Sequence, residues 1–567
     1  LRSSDGPFQN TALRMVPAPK GQSWKVVEGV WSPTDPKKAS SQLRPLAHVA
    51  LADQVVTTAM MMCLADRVET AQGDPRTRVV PESRRVVTSY GNRLFCDREG
   101  SELRHRWGSA KLYRAYFQDY RQFLIRPEVI GDTASKDGQR VVILQSDLRQ
   151  FYDRVSTELL HTSVRSLKQS GDDDAFFSLL QNVMSWQWGE KDRKEVQLYE
   201  TGAGLTDFGT IALPQGLVAS GFFANVVLLK FDAHLRNSLD NEVVPGIRVL
   251  DATRYVDDLR LVLSLADGIS LEGARAVVLT WLKAALDETA PGLMIHDEKT
   301  ELTAFRGEER PLIRQSRRMT RIQKSISAGL DVLAGGEVLD AVRGLVRAQQ
   351  RLTDEEAKSN PFTPIPDVRD STVDRFAAAR FRTTFRSLRP LLWADDDKLP
   401  FESDDEQDLS QFSNTRTRAE LDEEARSFAM ELVGKWVDDP SNVRLLRVGL
   451  DLWPSPDLLQ SVLALIRPYT EHKRNAPKRV ALYCLAEIFR AGATETGFVD
   501  DAECLPQGVD IAEYRQILRE EAQRTISLKR LPWYLLQQAY LMLATCPPAK
   551  LSGLSSSSNP EIGPYRS

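Results

Sequence analysis

The sequence has few of the residues that build zinc sites or disulfide frameworks. Its 567 residues include five cysteines, and no two of them have the CxxC spacing of a zinc or redox motif. This pattern predicts reduced thiols in a cytoplasmic protein. The six histidines are scattered and form no metal-ligand pair. We therefore expect neither structural zinc nor a disulfide-stapled fold.

Long apolar runs and a strong basic charge are also missing. No run of about eighteen apolar residues occurs, so we expect no membrane span, and the first residues lack the order of a secretory signal. The net charge of −4 is not the usual footprint of a nucleic-acid binder. Cations do crowd the segment 306–324, against an acidic run at 395–408. The basic segment either tracks a phosphate backbone or forms a solvated helix face.

Length and local pattern predict several domains, because the chain is too long for one ordinary core. Residues 1–40 are rich in Pro, Ser, Gly and Lys and are typical of an extension. Strand and helix patterns mix over 41–305, which predicts an α+β core. Helical patterns then dominate, with a connector over 306–395 and an all-α domain over 396–553. Residues 554–567 are typical of a flexible tail.

The α+β region contains several individual elements. The predicted elements are a helix over Arg44–Glu69, a strand over 139–146, an apolar helix over Leu217–Leu235, a hairpin over Val249–Leu265, a helix over Leu271–Glu288 and a strand near Leu293 and Ile295.

Three apolar helical segments near helix breakers recur in the second half, at 445–454, 479–489 and 533–543. They favour stacked helical pairs of the HEAT type. Because the period is irregular, a plain helical bundle is the open alternative.

Two adjacent carboxylates stand inside the predicted hairpin. Asp257 and Asp258 are flanked by strand-forming residues, where they are costly unless a cation compensates them. Asp147 ends an apolar strand and is followed by an aromatic pair. Nucleotidyl transfer needs carboxylates from separate strands to hold two divalent metal ions. Mg²⁺ prefers such hard oxygen ligands, so the sequence predicts a two-metal site.

Four segments, in order along the chain, resemble the palm motifs of reverse transcriptases. They are SerAspLeuArgGlnPheTyrAspArgVal (146–155), LeuProGlnGlyLeuValAlaSerGlyPhePheAlaAsn (213–225), ArgTyrValAspAsp (254–258) and GlyLeuMetIleHisAspGluLysThrGlu (292–301). The resemblance covers roughly 41–305 and implies the fingers and palm of a right-hand polymerase. The same resemblance implies that residues 306–395 form a helical thumb or connector.

The resemblance implies a metal-binding and a proton-donating set. Asp147 and Asp257 would bind both Mg²⁺ ions, with Mn²⁺ as the alternative metal. Asp258 would stand beside them, and the Leu148 carbonyl would be a further ligand. Lys299 would lie near the leaving pyrophosphate as a cation or proton donor.

The resemblance also implies substrate contacts. Tyr152 would sit under the sugar of the incoming nucleotide, where its ring excludes a 2′-hydroxyl and favours dNTPs. Gln215 and Gly216 would border the nucleotide and template, since glycine permits close backbone approach. The remaining substrate-binding candidates are Arg44, Arg93 and Asn225.

Ordinary structural roles are the alternatives for several of these residues. Asp147 could cap a helix, Tyr152 could be a core ring and Lys299 could be a surface lysine. His296 stands where related enzymes often carry Asn, and we assign it no role.

Three further segments resemble the bacterial abortive-infection and defence-associated reverse transcriptases. They are ArgProLeuAlaHisVal (44–49), AspGlnValVal (53–56) and SerTyrGlyAsnArg (89–93). That group often carries a C-terminal helical-repeat domain. The resemblance implies dNTP substrates, a DNA product, a noncoding RNA template or template-independent protein-primed synthesis, and homo-oligomers formed through the helical domain. It also implies a role in anti-phage defence in the bacterial cytoplasm.

Two other functions stay open. One is a retron-type or group II intron-type reverse transcriptase that copies RNA in DNA mobility. The other, from a different class, is a helical-repeat interaction scaffold that carries a vestigial polymerase.

Overall fold

The computed structural model describes residues 2–3, 6–7, 9–21, 23–35, 43–305, 322, 335–346, 370–392, 417–471, 476–496, 504–528 and 531–545. The chain forms two compact units. The first comprises Leu1–Val16 and Pro45–Ser316, and the second comprises Pro17–Arg44 and Arg317–Ser567. In the described residues the first unit mixes helices with strands, and the second is mainly helical.

The elements have the following bounds. The strands are β1 Arg2–Ser3, β2 Gly6–Pro7, β3 Arg14–Pro19, β4 Trp24–Val27, β5 Val30–Pro33, β6 Leu43–His48, β7 Cys96–Glu99, β8 Glu102–His105, β9 Val141–Asp147, β10 Trp186–Gln187, β11 Thr210–Ile211, β12 Glu242–Val244, β13 Ile247–Tyr255, β14 Asp258–Leu265 and β15 Glu301–Ala304. The helices of the first unit are α1 Leu51–Gln72, α2 Tyr116–Lys136, α3 Phe151–Arg154, α4 Thr157–Arg165, α5 Asp174–Val183, α6 Arg193–Ala203, α7 Ser220–Asn237 and α8 Leu271–Thr289. The second unit contains the helical residues 335–346 and the helices Asp370–Leu388, Arg418–Asp438, Val443–Leu452, Pro456–Glu471, Ala476–Ala491, Ile511–Ser527 and Trp533–Ala544.

A five-stranded antiparallel sheet, in the order β12-β13-β14-β9-β15, forms the centre of the first unit. Val142 and Leu144 of β9 pack into the larger core, which also contains residues of α7 and α8. Val141 packs on the opposite face with Ile130 of α2 and Val262 of β14. Successive side chains of a strand point to opposite faces. Burial on both faces therefore explains why the first four residues of β9, Val141–Leu144, are all apolar.

The sequence patterns predict the central elements correctly. The strand expected over 139–146 is β9, and the hairpin expected over Val249–Leu265 is β13 and β14. The helices expected over Leu217–Leu235 and Leu271–Glu288 are α7 and α8.

Two local predictions are wrong. The first helix begins at Leu51 and not at Arg44, because Leu43–His48 forms β6. Pro45 fits that strand better than a helix interior, since proline lacks the amide that a helix needs. The strand expected near Leu293 and Ile295 is also absent there. Ile295 makes only an isolated bridge to Leu148, and the strand of this region is β15.

The helices of the second unit pack as consecutive pairs. The contacting pairs are Arg418–Asp438 with Val443–Leu452, Pro456–Glu471 with Ala476–Ala491, and Ile511–Ser527 with Trp533–Ala544. The second helices of neighbouring pairs also contact each other in turn, as do Pro456–Glu471 and Ile511–Ser527. This is the contact pattern of stacked helical pairs. Assignment to the HEAT type stays a prediction.

A tryptophan-rich hairpin, formed by β4 and β5, belongs to the helical unit. Trp31 is 1% exposed, and its ring lies 4.4 Å from that of Trp24 and 4.9 Å from that of Trp436. Its indole nitrogen donates to the Val437 carbonyl at 2.8 Å, and the Tyr469 hydroxyl donates to the Trp31 carbonyl. Part of the stretch expected to be an extension, 1–40, is therefore built into a core.

Several predicted segments lie outside the described residues. They include nearly all of the basic segment 306–324, the acidic run 395–408 and the tail 554–567. Across the described ranges, none of the helices combines the length and the apolar character that crossing a membrane requires.

We expect Trp31→Ala to destabilise the second unit by about 3–5 kcal/mol, because it removes a fully buried ring and leaves a cavity. Val30→Ala in the same hairpin is the matched control, since Val30 is 59% exposed and such surface changes cost roughly 0.5 kcal/mol or less. Urea unfolding followed by circular dichroism measures both variants. Equal midpoints for the two variants would contradict the buried role of the hairpin.

Candidate active site

The three predicted aspartates lie at one end of the central sheet. Asp147, the last residue of β9, directly opposes Asp258, the first residue of β14. Val256 and Asp257 form the two-residue turn between β13 and β14. The Leu148 amide donates to the Asp257 carbonyl at 3.0 Å and ties this turn to the end of β9. Two separate strands thus supply carboxylates to one place.

The turn that carries Asp257 is strained. Val256 has a φ of +58°, a left-handed conformation that a β-branched residue rarely adopts. Such strain costs on the order of 1–3 kcal/mol and persists only where the surroundings enforce it. Gly91 packs so closely here that a Cβ at position 91 would lie 2.6 Å from the Val256 nitrogen. The Arg254 guanidinium also donates to the Val256 carbonyl at 2.8 Å.

Arg254 is the buried anchor of this turn. It is 1% exposed and binds both oxygens of Asp232 on α7, at 2.7 and 2.6 Å. It also donates to the Asn225 side chain at 3.2 Å. The sequence prediction gave Arg254 and Asp232 no role. The available signal was an arginine in a largely apolar strand and a single aspartate on a largely apolar helix, since buried charges need partners.

Lys299 lies beside the first carboxylate. Its ammonium contacts Asp147 Oδ2 at 2.8 Å, and its side chain is 51% exposed. The short turn Asp297–Lys299 is held against β9, because the His296 amide donates to the Asp147 carbonyl at 2.8 Å. The structure therefore places the fourth motif next to the first, and the proton-donating role of Lys299 stays a prediction.

Tyr152 is partly buried near the turn. Its ring makes an edge contact with Phe151 at 5.3 Å, and its hydroxyl accepts a hydrogen bond from Asn92 at 3.2 Å. Burial raises the pKa of Tyr152 to about 12, and the neighbouring Asp257 carboxylate acts in the same direction. The hydroxyl therefore stays neutral. The structure brings Tyr152 into the electrostatic reach of Asp257, and contact with a sugar stays a prediction.

Gln215 is connected to the first motif through Asp153. Its side-chain amide donates to Asp153 Oδ1 at 3.1 Å, and the Tyr199 hydroxyl donates to the other oxygen at 2.7 Å. Burial raises the pKa of Tyr199, and Asp153 adds to this effect. The sequence prediction missed both partners. Asp153 was visible within the first motif, whereas nothing in the local sequence marks Tyr199 of α6.

Gly216 is exposed, and its backbone explains why glycine is needed. It has a φ of +134°, and a Cβ would lie 2.2 Å from the Ala47 carbonyl oxygen. The Ala47 amide also donates to the Gln215 carbonyl at 2.7 Å. The close backbone approach seen here is to Ala47, and approach to a nucleotide stays a prediction.

Two of the predicted substrate contacts point into the protein. Arg93 and Asn225 are each 1% exposed. The Arg93 guanidinium donates to Glu69 at 2.8 Å and to the Ser89 carbonyl at 2.7 Å. Asn225 donates to the Gly91 carbonyl at 2.9 Å. In this arrangement both side chains serve packing and hydrogen bonding within the fold, against the expectation that they contact substrate.

Arg44 is exposed. It is the last residue of the segment Pro17–Arg44 of the second compact unit, and the first unit resumes in the sequence at Pro45. Its predicted role in gripping a triphosphate stays a prediction.

A cavity of about 570 Å³ adjoins the fourth motif. It is lined by Arg149, His296 and residues of α8, and by the ion pair between Lys283 and Asp297, which is 2.6 Å long. Arg149 lies two residues after Asp147 in the chain, whereas none of the three predicted carboxylates lines this cavity.

The donor set fits a hard divalent cation. Asp147 and Asp258 are in register and Asp257 is adjacent, and the contact of the Lys299 ammonium with Asp147 shows that this carboxylate can bind a cation. In the part of the chain that is described, no three His, Cys, Asp or Glu side chains form a ready-made metal cluster. Mg²⁺ is usually held by one or two carboxylates together with substrate phosphates and water. Paired carboxylates at a strand end therefore suit a site that substrate completes.

We expect Arg254→Met to destabilise the protein by about 3–5 kcal/mol, because Asp232 is left buried without its partner. The double variant Arg254→Met/Asp232→Leu should recover much of this loss, since no buried charge remains. Lys136→Met is the control, as its pair with Asp132 is exposed and worth at most about 1 kcal/mol. Urea unfolding tests the set. A double variant no more stable than Arg254→Met would contradict the ion-pair account.

Comparison with known proteins yields weak structural likenesses. No protein-family model and no curated protein sequence matches the chain. A telomerase from Candida albicans, solved with a fragment of telomeric RNA, has 13% identity and a TM-score of 0.22, over 47% of this chain and 46% of that one. Apo telomerase from Candida tropicalis has 8% identity and a TM-score of 0.28, over 95% of this chain and 69% of that one. The chain thus spans about half the length of the first of these structures. At these TM-scores neither likeness decides the fold or the activity.

Proposed function

We propose that this protein is a reverse-transcriptase-like DNA polymerase that adds dNTPs by two-metal nucleotidyl transfer. The observation that carries the proposal is the register of Asp147 against Asp258, with Asp257 in the adjoining turn. Two carboxylates that lie directly opposite each other on paired strands repel. A purely structural role for Asp147 gives no reason for such a pairing. A bound cation removes that repulsion.

The chain's residues divide the work as follows. Asp147, Asp257 and Asp258, with the Leu148 carbonyl, would hold the metal ions. When bound, two Mg²⁺ ions supply a more acidic 3′-hydroxyl and charge stabilisation for the leaving pyrophosphate. Lys299, which contacts Asp147 at the edge of this site, donates a proton from Nζ to the leaving phosphate oxygen.

The nucleotide is positioned by the first two motifs. Tyr152 presents its ring to the sugar and excludes a 2′-hydroxyl. Gln215 borders the nucleotide. Its hydrogen bond to Asp153 orients its side chain before the nucleotide binds. A preorganised side chain loses less entropy on binding than a mobile one.

A role in anti-phage defence is the finer part of the proposal. It rests on the resemblance of the segments at 44–49, 53–56 and 89–93, and the helical second unit supports it. A noncoding RNA template, protein priming and self-association through the helical unit belong to the same proposal. Phage plaque counts on cells that carry the wild type or an Asp257→Asn/Asp258→Asn variant test the defence role. Equal protection by the wild type and the variant would contradict a defence role that depends on polymerase activity.

We expect Asp257→Asn/Asp258→Asn to lower dNTP incorporation by about 10³-fold or more, because charge stabilisation of this kind carries the chemistry. Asp267→Asn, an exposed acidic residue beyond the other end of β14, is the control and should retain full activity. The measurement is incorporation of labelled dNTPs by the purified chain with Mg²⁺, with and without EDTA. A wild-type protein that incorporates nothing would favour the scaffold function.

We expect Lys299→Gln to lower kcat by roughly 10²-fold, because a general acid typically contributes 10²–10⁴-fold. KM for dNTP should change little, since the proton is needed only during transfer. Lys136→Gln, on the surface of α2, is the matched control. Steady-state kinetics separate the two parameters. A rise in KM with kcat unchanged would make Lys299 a binding residue and remove its role as an acid.

A further inference from the structure

We propose that Asn92 is a specificity-determining residue that fixes the position of Tyr152 and so sets the preference for dNTPs over NTPs. The inference rests on the proposed function, because it concerns the sugar of the same nucleotide. The side chain of Asn92 donates to the Tyr152 hydroxyl. It acts through the tyrosine ring and is therefore a positioning residue.

The contact itself joins two motifs that are distant in sequence. The Asn92 amide donates to the Tyr152 hydroxyl at 3.2 Å. The hydroxyl is neutral, because burial raises the pKa of Tyr152, and a neutral phenol accepts a hydrogen bond while keeping its own proton. The ring is thus held at its far end by Asn92 and at its base by the edge contact with Phe151.

Asn92 is itself fixed in an unusual backbone conformation. Its φ is +52°, in the left-handed region that asparagine tolerates better than most residues. The buried Asn225 side chain donates to the carbonyls of Gly91 and Asn92, at 2.9 and 3.4 Å. Gly91 in turn packs directly on Val256 of the carboxylate turn. Asn92 is therefore positioned by the same turn that carries Asp257.

Gly221 leaves the room that the Asn92 amide occupies. A Cβ at position 221 would lie 2.9 Å from both Cγ and Nδ2 of Asn92. The amide is therefore confined between the start of α7 and the Tyr152 hydroxyl. Confinement of this kind permits little rotation, so the hydrogen bond restricts the tilt of the tyrosine ring.

Restricting the tilt has a consequence for sugar selection. A ring excludes a 2′-hydroxyl only if it cannot move aside when a ribonucleotide enters. Specificity is a difference between two affinities, so a loosened ring helps NTPs more than it helps dNTPs. A single hydrogen bond of this type is worth roughly a two- to tenfold change in an equilibrium. We therefore expect an effect on the ratio of kcat/KM values and not on dNTP use alone.

The test compares kcat/KM for dNTP and NTP in three single variants and one double variant of the full chain with Mg²⁺. Asn92→Gly removes the amide and still adopts a positive φ, and it should lower the dNTP-to-NTP ratio by about fivefold. Asn92→Asp keeps the size and accepts a hydrogen bond from the tyrosine, so the ratio should stay near the wild-type value. Tyr152→Phe keeps the ring but loses the hydroxyl, so its ratio should fall like that of Asn92→Gly. Adding Asn92→Gly to Tyr152→Phe should then change nothing further.

The outcomes separate this inference from the proposed function. A wild-type chain that incorporates no nucleotide overturns the proposed function itself. A wild-type chain that selects dNTPs, with the ratio unchanged in Asn92→Gly or in Tyr152→Phe, overturns the role of Asn92 and leaves the polymerase standing. Should Asn92→Gly fail to fold, the contrast between Asn92→Asp and Tyr152→Phe decides, and equal ratios in these two contradict the inference.

Discussion

The buried ion pair between Arg254 and Asp232 is the interaction on which the carboxylate site depends. The turn at Val256 and Asp257 is strained, and it also carries charge that repels the neighbouring Asp258. Arg254 holds the strained turn in place, because its fork of donors reaches Asp232, Asn225 and the Val256 carbonyl at once. A lysine could not make this set of contacts, since its ammonium is a single point charge without the planar fork. The ion pair between Arg254 and Asp232 therefore fixes the conformation of the turn at Val256 and Asp257 from the protein interior.

Two further buried arginines brace the same region. Arg126 of α2 binds Asp251 of β13 at 2.8 and 2.6 Å, and Arg93 binds Glu69 of α1. The segment 88–91 runs between these anchors and pairs with β13, since the Arg254 amide donates to the Thr88 carbonyl at 2.8 Å. Buried pairs of this kind add little net stability but penalise any arrangement that separates them. They thus favour one geometry at the carboxylate edge, which is what a preorganised site requires.

Much of the site could be predicted from the sequence because its chemistry is unusual in its setting. Carboxylates at the end of apolar strands stand out, so Asp147, Asp257 and Asp258 were identified and lie together. Lys299 contacts Asp147, and Tyr152 lies near the Asp257 turn, while their roles toward a nucleotide stay predictions. Arg93 and Asn225 were misjudged, because a polar residue in a motif looks the same whether it faces a cleft or the interior. Tyr199 was missed since its partner, Asp153, lies far away in sequence and nothing in α6 marks the contact.

The sequence by itself determined the alternation of strands and helices around the carboxylates and the helical character of the second half, because apolar periodicity and charge placement are local properties. Only the tertiary structure decided that Asp147 opposes Asp258, that Arg254 rather than a surface cation stabilises the turn, and that Asn92 reaches Tyr152. It also decided that Trp31 of the supposed extension lies in the core of the helical unit. Each of these depends on which distant segments pack together. Burial, which sets the cost of an unpaired charge or an unsatisfied amide, is fixed only once they do.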